Sequence, residues 1–249
     1  MKLIMNADDF GYFRSVNYGI VDGFQNGIVR STTMAANMPG FEHAAELAKK
    51  NPQLGVGIHL VLTAGRALTG ANWTITDEQG NFLNQLVLAK KAPEQIDLAE
   101  VEKEYTAQIE KVIAAGIKPT HLDSHHHSHE LPGIFSVFLK IARKYNLPIR
   151  LSSRERLPEE YQDIKSADYF SSDFYGNELT KQSLKDILEP YIHTDKIVEI
   201  MCHPAYVDQQ LMRESRYHLP RTKELEIILD MGDYIKENHI ELINFRMLN

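Results

Sequence analysis

Short apolar runs alternate with longer amphipathic stretches along the whole chain, and this alternation limits the folds that the chain can adopt. The pattern predicts repeated βα units around a parallel sheet, because buried parallel strands are short and apolar and the connecting helices are amphipathic. The predicted strands are Leu3 to Met5, Arg30 to Ala35, Leu54 to Leu60, Thr120 to His125, Ile149 to Ser152, Asp168 to Ser171, Ile197 to Cys202 and Ile240 to Asn244. The predicted helices are Val16 to Asn26, Phe41 to Lys50, Leu98 to Ala115, Ile134 to Tyr145, Lys181 to Tyr191 and Thr222 to Asn238. We expect residues 1–249 to form a single α/β domain, since α/β barrels often reach this length undivided.

One region, at about residues 63–93, interrupts the alternation. It contains three glycines and the only tryptophan, Trp73, and it follows the predicted strand that ends near His59. A long loop at the carboxyl end of a barrel strand is where substrate contacts usually lie. Two interpretations stay open, a substrate-contacting insertion or a variable surface excursion with its own small hairpin.

The chain is acidic, with a formal net charge of −7. An acidic surface repels nucleic acid and anionic membranes, so we expect neither as a partner. Cys202 is the only cysteine, which excludes an intrachain disulfide and favours a reducing compartment. The sequence also shows neither the apolar stretch of a signal peptide nor an uncharged run long enough to span a bilayer. We therefore expect a cytoplasmic protein.

Five of the eleven histidines lie in one segment, His121 to His129. Neutral imidazole is the commonest protein ligand for catalytic divalent metals, so the segment predicts a metal site. If the segment is a strand, its odd-numbered residues share one face and His126 lies on the other. The alternative is that these are ordinary surface or core histidines.

Residues with useful chemistry recur where the predicted strands end. Asp8 and Asp9 follow the first strand, and His59, His125 and His203 close or follow three others. The carboxyl ends of all strands of a parallel barrel share one face, so these residues should meet at one mouth. Taken singly, each has a plainer interpretation as a turn, a helix cap or a structural histidine.

Four separated motifs occur in an order that resembles the YdjC-like carbohydrate deacetylases, particularly the chitooligosaccharide deacetylases. They are Asn6 to Gly11 (NADDFG), Gly57 to His59 (GIH), His121 to His125 (HLDSH) and Met201 to Pro204 (MCHP). The likeness extends over nearly the whole chain and includes NYGI at 17–20, NGIV at 26–29, FYG at 174–176, PR at 220–221 and EL at 224–225.

The resemblance implies a distorted or incomplete (β/α) barrel of the TIM type that removes the N-acetyl group from N-acetylglucosamine oligosaccharides such as chitobiose and releases acetate. It also implies that His59 and His125 bind a divalent metal, usually magnesium. The aspartate pair, Asp8 and Asp9, would supply a further ligand and a catalytic carboxylate. His126 and His127 leave open which imidazole of the cluster is the ligand.

The chemistry of amide hydrolysis suggests a separate role for each of these residues. Consecutive side chains diverge, so we assign Asp9 to the metal and Asp8 to the base that takes a proton from water. His203 is the candidate acid that protonates the leaving amine. Asp123, His127 and His129 would orient the ligands and fix their tautomers. Two imidazoles and one carboxylate suit zinc at least as well as magnesium, so zinc is the alternative metal.

Substrate contacts are weakly specified by the sequence. Trp73, Tyr175 and Tyr206 could offer aromatic surfaces to pyranose rings, although aromatic residues more often pack against other side chains of the protein. An imported disaccharide could arrive phosphorylated, and Arg221 is one arginine that could receive the phosphate. The helical exterior of a barrel also offers apolar surface for a homodimer, for which no motif exists.

Two other functional classes stay open. A metal-dependent hydrolase of another amide or of a phosphoester would use nearly the same ligands. A non-catalytic metal-binding or sugar-binding protein would need the site but not the base, Asp8.

Overall fold

The strands of the chain form one parallel sheet that curves into an incomplete (β/α) barrel, as predicted. The computed structural model describes residues 1–70 and 74–248. The strands within these ranges are β1 (Lys2–Phe10), β2 (Ser31–Met34), β3 (Gly55–Leu60), β4 (Leu122–Ser124), β5 (Tyr169–Ser171), β6 (Ile197–Cys202) and β7 (Glu241–Leu242). Their order is β4-β3-β2-β1-β6-β5, and β7 pairs with β1 outside that row.

Helices connect these strands and cover the outside of the sheet. In the described residues they are α1 (Arg14–Gln25), α2 (Phe41–Lys50), α3 (Gln85–Ala89), α4 (Leu98–Ala114), α5 (Ile134–Tyr145), α6 (Lys181–Leu188), α7 (Gln209–Glu214), α8 (Leu219–Asp230) and α9 (Gly232–Glu237). The helix predicted from Thr222 to Asn238 is two helices, with Met231 between them and the poor helix former Gly232 directly after it.

Strand β1 lies at the centre of the sheet and extends beyond its predicted end at Met5. Every residue from Leu3 to Phe10 is buried, since neighbours cover both faces of a central parallel strand. The strand therefore carries Asn6, Asp8 and Asp9 into the barrel interior. Three polar side chains of the candidate active site thus lie on the central strand of the sheet.

The segment Ile149 to Ser152, predicted as a strand, is not one. It forms a single parallel bridge, between Ile149 and Leu122 of β4. Pro148, directly before the segment, has no backbone N–H to donate, and the chain turns into a 3₁₀ helix at Arg154–Arg156 soon after it. Even so, the N–H of Arg150 donates to the carbonyl of Leu122 at 2.9 Å, which keeps the segment beside β4.

Hydrogen bonds attach the irregular region, residues 63–93, to helix α4. Glu104, which is fully buried, accepts hydrogen bonds from the backbone N–H groups of Leu68 and Thr69 at 3.1 and 3.0 Å. Two isolated antiparallel bridges, at Arg66 with Asn81 and Thr76 with Phe82, take the place of a regular hairpin. Trp73 lies outside the described residues.

Within residues 1–70 and 74–248, none of the helices combines the length and the apolar character needed to cross a membrane.

Candidate active site and metal centre

Asp9, His59 and His125, the three predicted metal ligands, meet at the carboxyl end of the sheet. Asp9 Oδ1 lies 3.1 Å from His125 Nδ1 and 3.4 Å from His59 Nε2. The two imidazole nitrogens are 3.3 Å apart. Asp9 Oδ1 is buried and has no hydrogen-bond partner among the described residues. Two nitrogens and one oxygen that converge on one point, with an oxygen left unpaired, fit a divalent cation.

Asp9 has a backbone conformation that sequence alternation does not predict. Its φ is +70°, in the left-handed region that non-glycine residues rarely adopt. The register between β1 and β2 also shifts between Ala7 and Phe10. As a result the carboxylates of both Asp8 and Asp9 lie within 4.8 Å of a ring nitrogen of His59. The two carboxylates nevertheless have different partners, since Asp8 pairs with Arg150 and Asp9 with Arg221.

Asp123 fixes the orientation of the His59 ring. His59 Nδ1 lies 2.7 Å from Asp123 Oδ1, and the Thr33 hydroxyl donates to Asp123 Oδ2 at 2.9 Å. With Nδ1 directed to the carboxylate, Nε2 faces Asp9 and His125. Burial lowers the pKa of an imidazole, but Asp123 and the Asp8–Asp9 pair raise that of His59 to about 10. A metal at this site would therefore displace a proton.

Asp8, the proposed base, is held by a buried arginine. Arg150 Nη1 and Nη2 donate to the two carboxylate oxygens of Asp8 at 2.6 and 2.7 Å. Arg150 also contacts Asp123 Oδ2 at 2.9 Å and donates from Nε to Glu199 Oε1 at 2.7 Å. One guanidinium thus joins the proposed base to the carboxylate that orients His59.

Sequence reasoning missed Arg150 and Glu199. Burial raises the pKa of Glu199 to about 7, while Arg150 opposes that rise. Glu199 is the one charged residue in the apolar run Ile197–Cys202, and a charge in such a run is a signal for a buried partner. Arg150 is the second residue of the segment predicted as a strand, Ile149 to Ser152, and it is the one charged residue of that segment.

Arg221 reaches the site from α8. Its Nη2 donates to Asp9 Oδ2 at 2.6 Å, and the side chain is buried. Burial alone would raise the pKa of Asp9, but Arg221 and His125 hold it well below its usual range. Arg221 therefore ion-pairs with a proposed metal ligand, although the sequence suggested a contact to substrate.

His203, the proposed acid, follows β6 at the strand end beside β1. Ala7 of β1 pairs with Cys202 of β6. Asp8 and His203 each follow one of these paired residues, so they lie at the same level of the sheet, Asp8 on β1 and His203 just after β6. The His203 backbone N–H donates to Glu224 on α8. The ring of Tyr175 lies edge-on to the imidazole, with centroids 5.4 Å apart. Tyr175 is half exposed, which suits its predicted role as an aromatic surface for sugar.

The histidine segment does not alternate as a strand would. Strand β4 ends at Ser124, and His126 and His127 both have left-handed backbone angles, with φ of 56° and 50°. The predicted sharing of one face by the odd-numbered residues is therefore wrong. The ring of His126 nevertheless stays beside that of His125, with centroids 3.9 Å apart, and its Nδ1 lies 2.9 Å from the Thr63 hydroxyl.

Two other predicted residues of this segment lie apart from the ligand cluster. His129 is buried in the core, with Nδ1 2.6 Å from the Ser124 hydroxyl and its ring 4.4 Å from that of Phe138. His127 packs edge-on against Phe170, a ring that the Arg150 guanidinium also contacts. Neither has a contact to Asp9 or His59 among the described residues, so an orienting role for them rests on the sequence alone.

Tyr206 points away from the cluster toward α1. Its hydroxyl donates to Asp22, and it lines a groove of about 710 Å³ together with Arg14 and Tyr18. Its backbone N–H donates to the carbonyl of Ser15 at 3.2 Å. The position places Tyr206 beside the segment that carries His203.

Comparison with known proteins supports a single family. The profile of the YdjC-like protein family matches residues 2–232. Carbohydrate deacetylases of Clostridium beijerinckii and Brevibacillus brevis are 44% and 43% identical, and the alignments cover 99% and 100% of both chains in each pair. A crystal structure from Enterococcus faecalis V583, described as a candidate cellobiose-phosphate cleavage protein, is 34% identical with a TM-score of 0.87. That alignment covers 99% of this chain and 98% of the other. This chain belongs to the YdjC-like protein family.

Proposed function

We propose that the protein is a metal-dependent carbohydrate deacetylase that removes the N-acetyl group from N-acetylglucosamine oligosaccharides of the chitobiose type and releases acetate. The observation that carries the proposal is the convergence of Asp9, His59 and His125 within 4.8 Å, beside an Asp8 carboxylate held by Arg150. The names of the relatives support deacetylation of a sugar. The name of the Enterococcus protein supports a phosphorylated disaccharide as a second form of substrate to test.

Asp9, His59 and His125 would hold the cation. When bound, a divalent ion supplies Lewis-acid stabilisation for the negative charge that develops on the acetyl oxygen and makes water more acidic. Magnesium is the family-based choice and zinc the alternative that the two imidazoles favour. Metal analysis of protein purified without added ions decides between them.

Asp8 is suited to accept a proton from the attacking water. Its Oδ1 accepts from Arg150 Nη2 and from Asn6 Nδ2, the latter at 2.9 Å. Its Oδ2 accepts from Arg150 Nη1, which is its one hydrogen-bond donor among the residues that the structure describes. A carboxylate oxygen has two lone pairs, so Oδ2 keeps one for the incoming proton. The two bonds from Arg150 hold that oxygen in a fixed direction.

His203 is placed to supply the second proton transfer. The amine of an amide is a poor leaving group until its nitrogen is protonated, so the reaction needs an acid as well as a base. His203 arises from the strand beside β1, with the exposed Tyr175 ring next to it. That ring offers an apolar face for the pyranose that carries the acetamide.

Incubation of metal-loaded protein with diacetylchitobiose, followed by an assay for free acetate, tests the proposal. We expect acetate release, and parallel incubations with a phosphoester should release no phosphate. Phosphate release without acetate would indicate the alternative phosphoesterase. Metal and sugar binding without either product would indicate a non-catalytic binding protein.

We further expect a cytoplasmic location and a homodimer.

A further inference from the structure

Glu224 lies beside the proposed proton donor and has no part in the scheme above. This carboxylate, on α8, is fully buried. Its Oε2 accepts from the backbone N–H of His203, and its Oε1 accepts from the Tyr217 hydroxyl at 2.5 Å. Two donated hydrogen bonds fit an ionised carboxylate.

The His203 ring has one nitrogen directed to this carboxylate. Nδ1 lies 3.8 Å from Glu224 Oε1 and is buried without a hydrogen-bond partner among the described residues. This separation is longer than a hydrogen bond, and catalytic hydrogen bonds that are long in an unliganded enzyme commonly shorten when substrate binds. Because Nδ1 faces Glu224, Nε2 is the nitrogen on the opposite side of the ring.

Tyr217 holds Glu224 from the other side. Its hydroxyl accepts from the backbone N–H of Gly176 at 2.9 Å and donates to Glu224. Burial and the charge of Glu224 raise the pKa of Tyr217, so this hydroxyl keeps its proton and remains a donor. The direction of the hydrogen bond is thereby fixed.

Aromatic rings limit the movement of the imidazole. Tyr175 and Tyr217 stack on each other with centroids 4.0 Å apart. Both contact the His203 ring edge to face, with centroids at 5.4 and 5.7 Å. Contacts of this geometry hold the ring in one plane while the carboxylate selects which nitrogen points inward.

Helix α8 connects this arrangement to the ligand cluster. Arg221, one turn before Glu224, donates to Asp9, and its carbonyl accepts from the backbone N–H of Ala205 at 3.3 Å. One helix thus positions a proposed metal ligand and the segment that carries the proposed acid.

We propose that Glu224, oriented by Tyr217, is a positioning residue that holds His203 with its Nδ1 proton toward the carboxylate and Nε2 toward the leaving nitrogen. The inference rests on the proposed deacetylation. As the C–N bond breaks, its electron pair goes to the sugar nitrogen, which takes the proton from His203 Nε2. The imidazole becomes neutral with its proton on Nδ1, and Glu224 stays ionised throughout.

Two substrates with different leaving groups test this role. Diacetylchitobiose needs a proton on its leaving nitrogen, whereas 4-nitrophenyl acetate loses a phenolate that leaves without one. We expect Glu224→Gln to lower kcat for acetate release from the disaccharide by about 10- to 100-fold, the usual loss when a partner that orients an active-site histidine is removed. Its KM and its rate on the aryl acetate should change by less than about threefold. Tyr217→Phe should show the same pattern with a smaller loss.

Controls separate this role from a purely structural one. Glu226→Gln makes the same chemical change on the exposed side of α8 and should leave both rates unchanged. The double variant His203→Gln with Glu224→Gln should be no slower than His203→Gln alone, since both changes remove one proton transfer. If a thermal melt shows that Glu224→Gln does not fold, Tyr217→Phe is used instead to compare the rates on the two substrates.

Several outcomes would overturn the inference. Equal losses on the two substrates would show a structural role, and a double variant slower than His203→Gln would show independent action. Unchanged disaccharide kinetics in Glu224→Gln, with an active wild type, would reject the role of Glu224 alone. A wild type that releases no acetate from the disaccharide would reject the proposed function and this step together.

Discussion

Arg150 donates one hydrogen bond to each carboxylate oxygen of Asp8, at 2.6 and 2.7 Å, across 142 positions of sequence. The same guanidinium contacts Asp123, the carboxylate that orients His59. The guanidinium of Arg150 therefore positions the proposed base, Asp8, directly and the proposed metal ligand His59 through Asp123. Substitutions in this network should separate metal binding from proton transfer.

Asp8→Asn should abolish turnover while the metal still binds. The amide keeps the size of the side chain but cannot take a proton from water, and loss of a general base typically costs about 10²- to 10⁴-fold in rate. Acetate release and metal content per chain are the two measurements. Asp233→Asn, on the exposed surface, serves as the matched control. Full activity in Asp8→Asn would show that the base is assigned to the wrong residue.

Arg150→Met should destabilise the protein strongly. The change leaves Asp8, Asp123 and Glu199 buried without their counter-ion, and breaking a buried ion pair costs about 3–5 kcal/mol of unfolding free energy. Chemical denaturation measures the loss. Arg143→Met removes an arginine whose ion pair with Asp163 is exposed, and it should cost no more than about 1 kcal/mol. Equal losses in the two variants would contradict the central position of Arg150.

Metal affinity should rise with pH between 6 and 8. In the metal-free protein the pKa of His59 is about 10, so the ring is protonated throughout this range and must lose a proton to bind an ion. Raising the pH lowers the cost of that loss, by up to about tenfold in affinity per pH unit for one displaced proton. Calorimetric titrations in two buffers of different ionisation enthalpy would measure the proton released. A dissociation constant that stays the same from pH 6 to 8 would be incompatible with this protonation state.

Gly19→Ala should lower activity through the segment that carries His203. A Cβ at position 19, on α1, would lie 2.4 Å from the Cα of Ala205, so the backbone there must shift. We expect kcat for acetate release to fall with little change in metal content. Gly232→Ala is the matched control, because its Cβ would meet nothing within 4 Å. The prediction fails if the two variants have the same activity.

The barrel and its long helices could be predicted from the sequence because their apolar periods are unbroken. Helix α4, predicted from Leu98 to Ala115, is observed at Leu98–Ala114. The gathering of Asp9, His59 and His125 followed from topology alone, since parallel strands end at one edge. These are consequences of local pattern and connectivity.

Other features depend on long-range contacts that no local pattern records. The left-handed backbone of Asp9 and of His126 is fixed by the surrounding structure, against the preference of non-glycine residues. The partners of Arg150 come from three separate parts of the chain, and so its role could not be inferred from its neighbours in sequence. Glu224 belongs to a sequence motif, but its contact with His203 depends on where α8 packs in the fold.

Metal-dependent acetate release, measured together with metal stoichiometry, tests the central claim most directly. Protein stripped of metal and then titrated with divalent ion should bind about one ion per chain, as one ligand cluster requires, and gain acetate release from diacetylchitobiose in proportion to the ion bound. Substitution of His59 or His125 by alanine should remove both. Undiminished acetate release by the metal-free protein, or an unchanged ion content after both substitutions, would contradict the account.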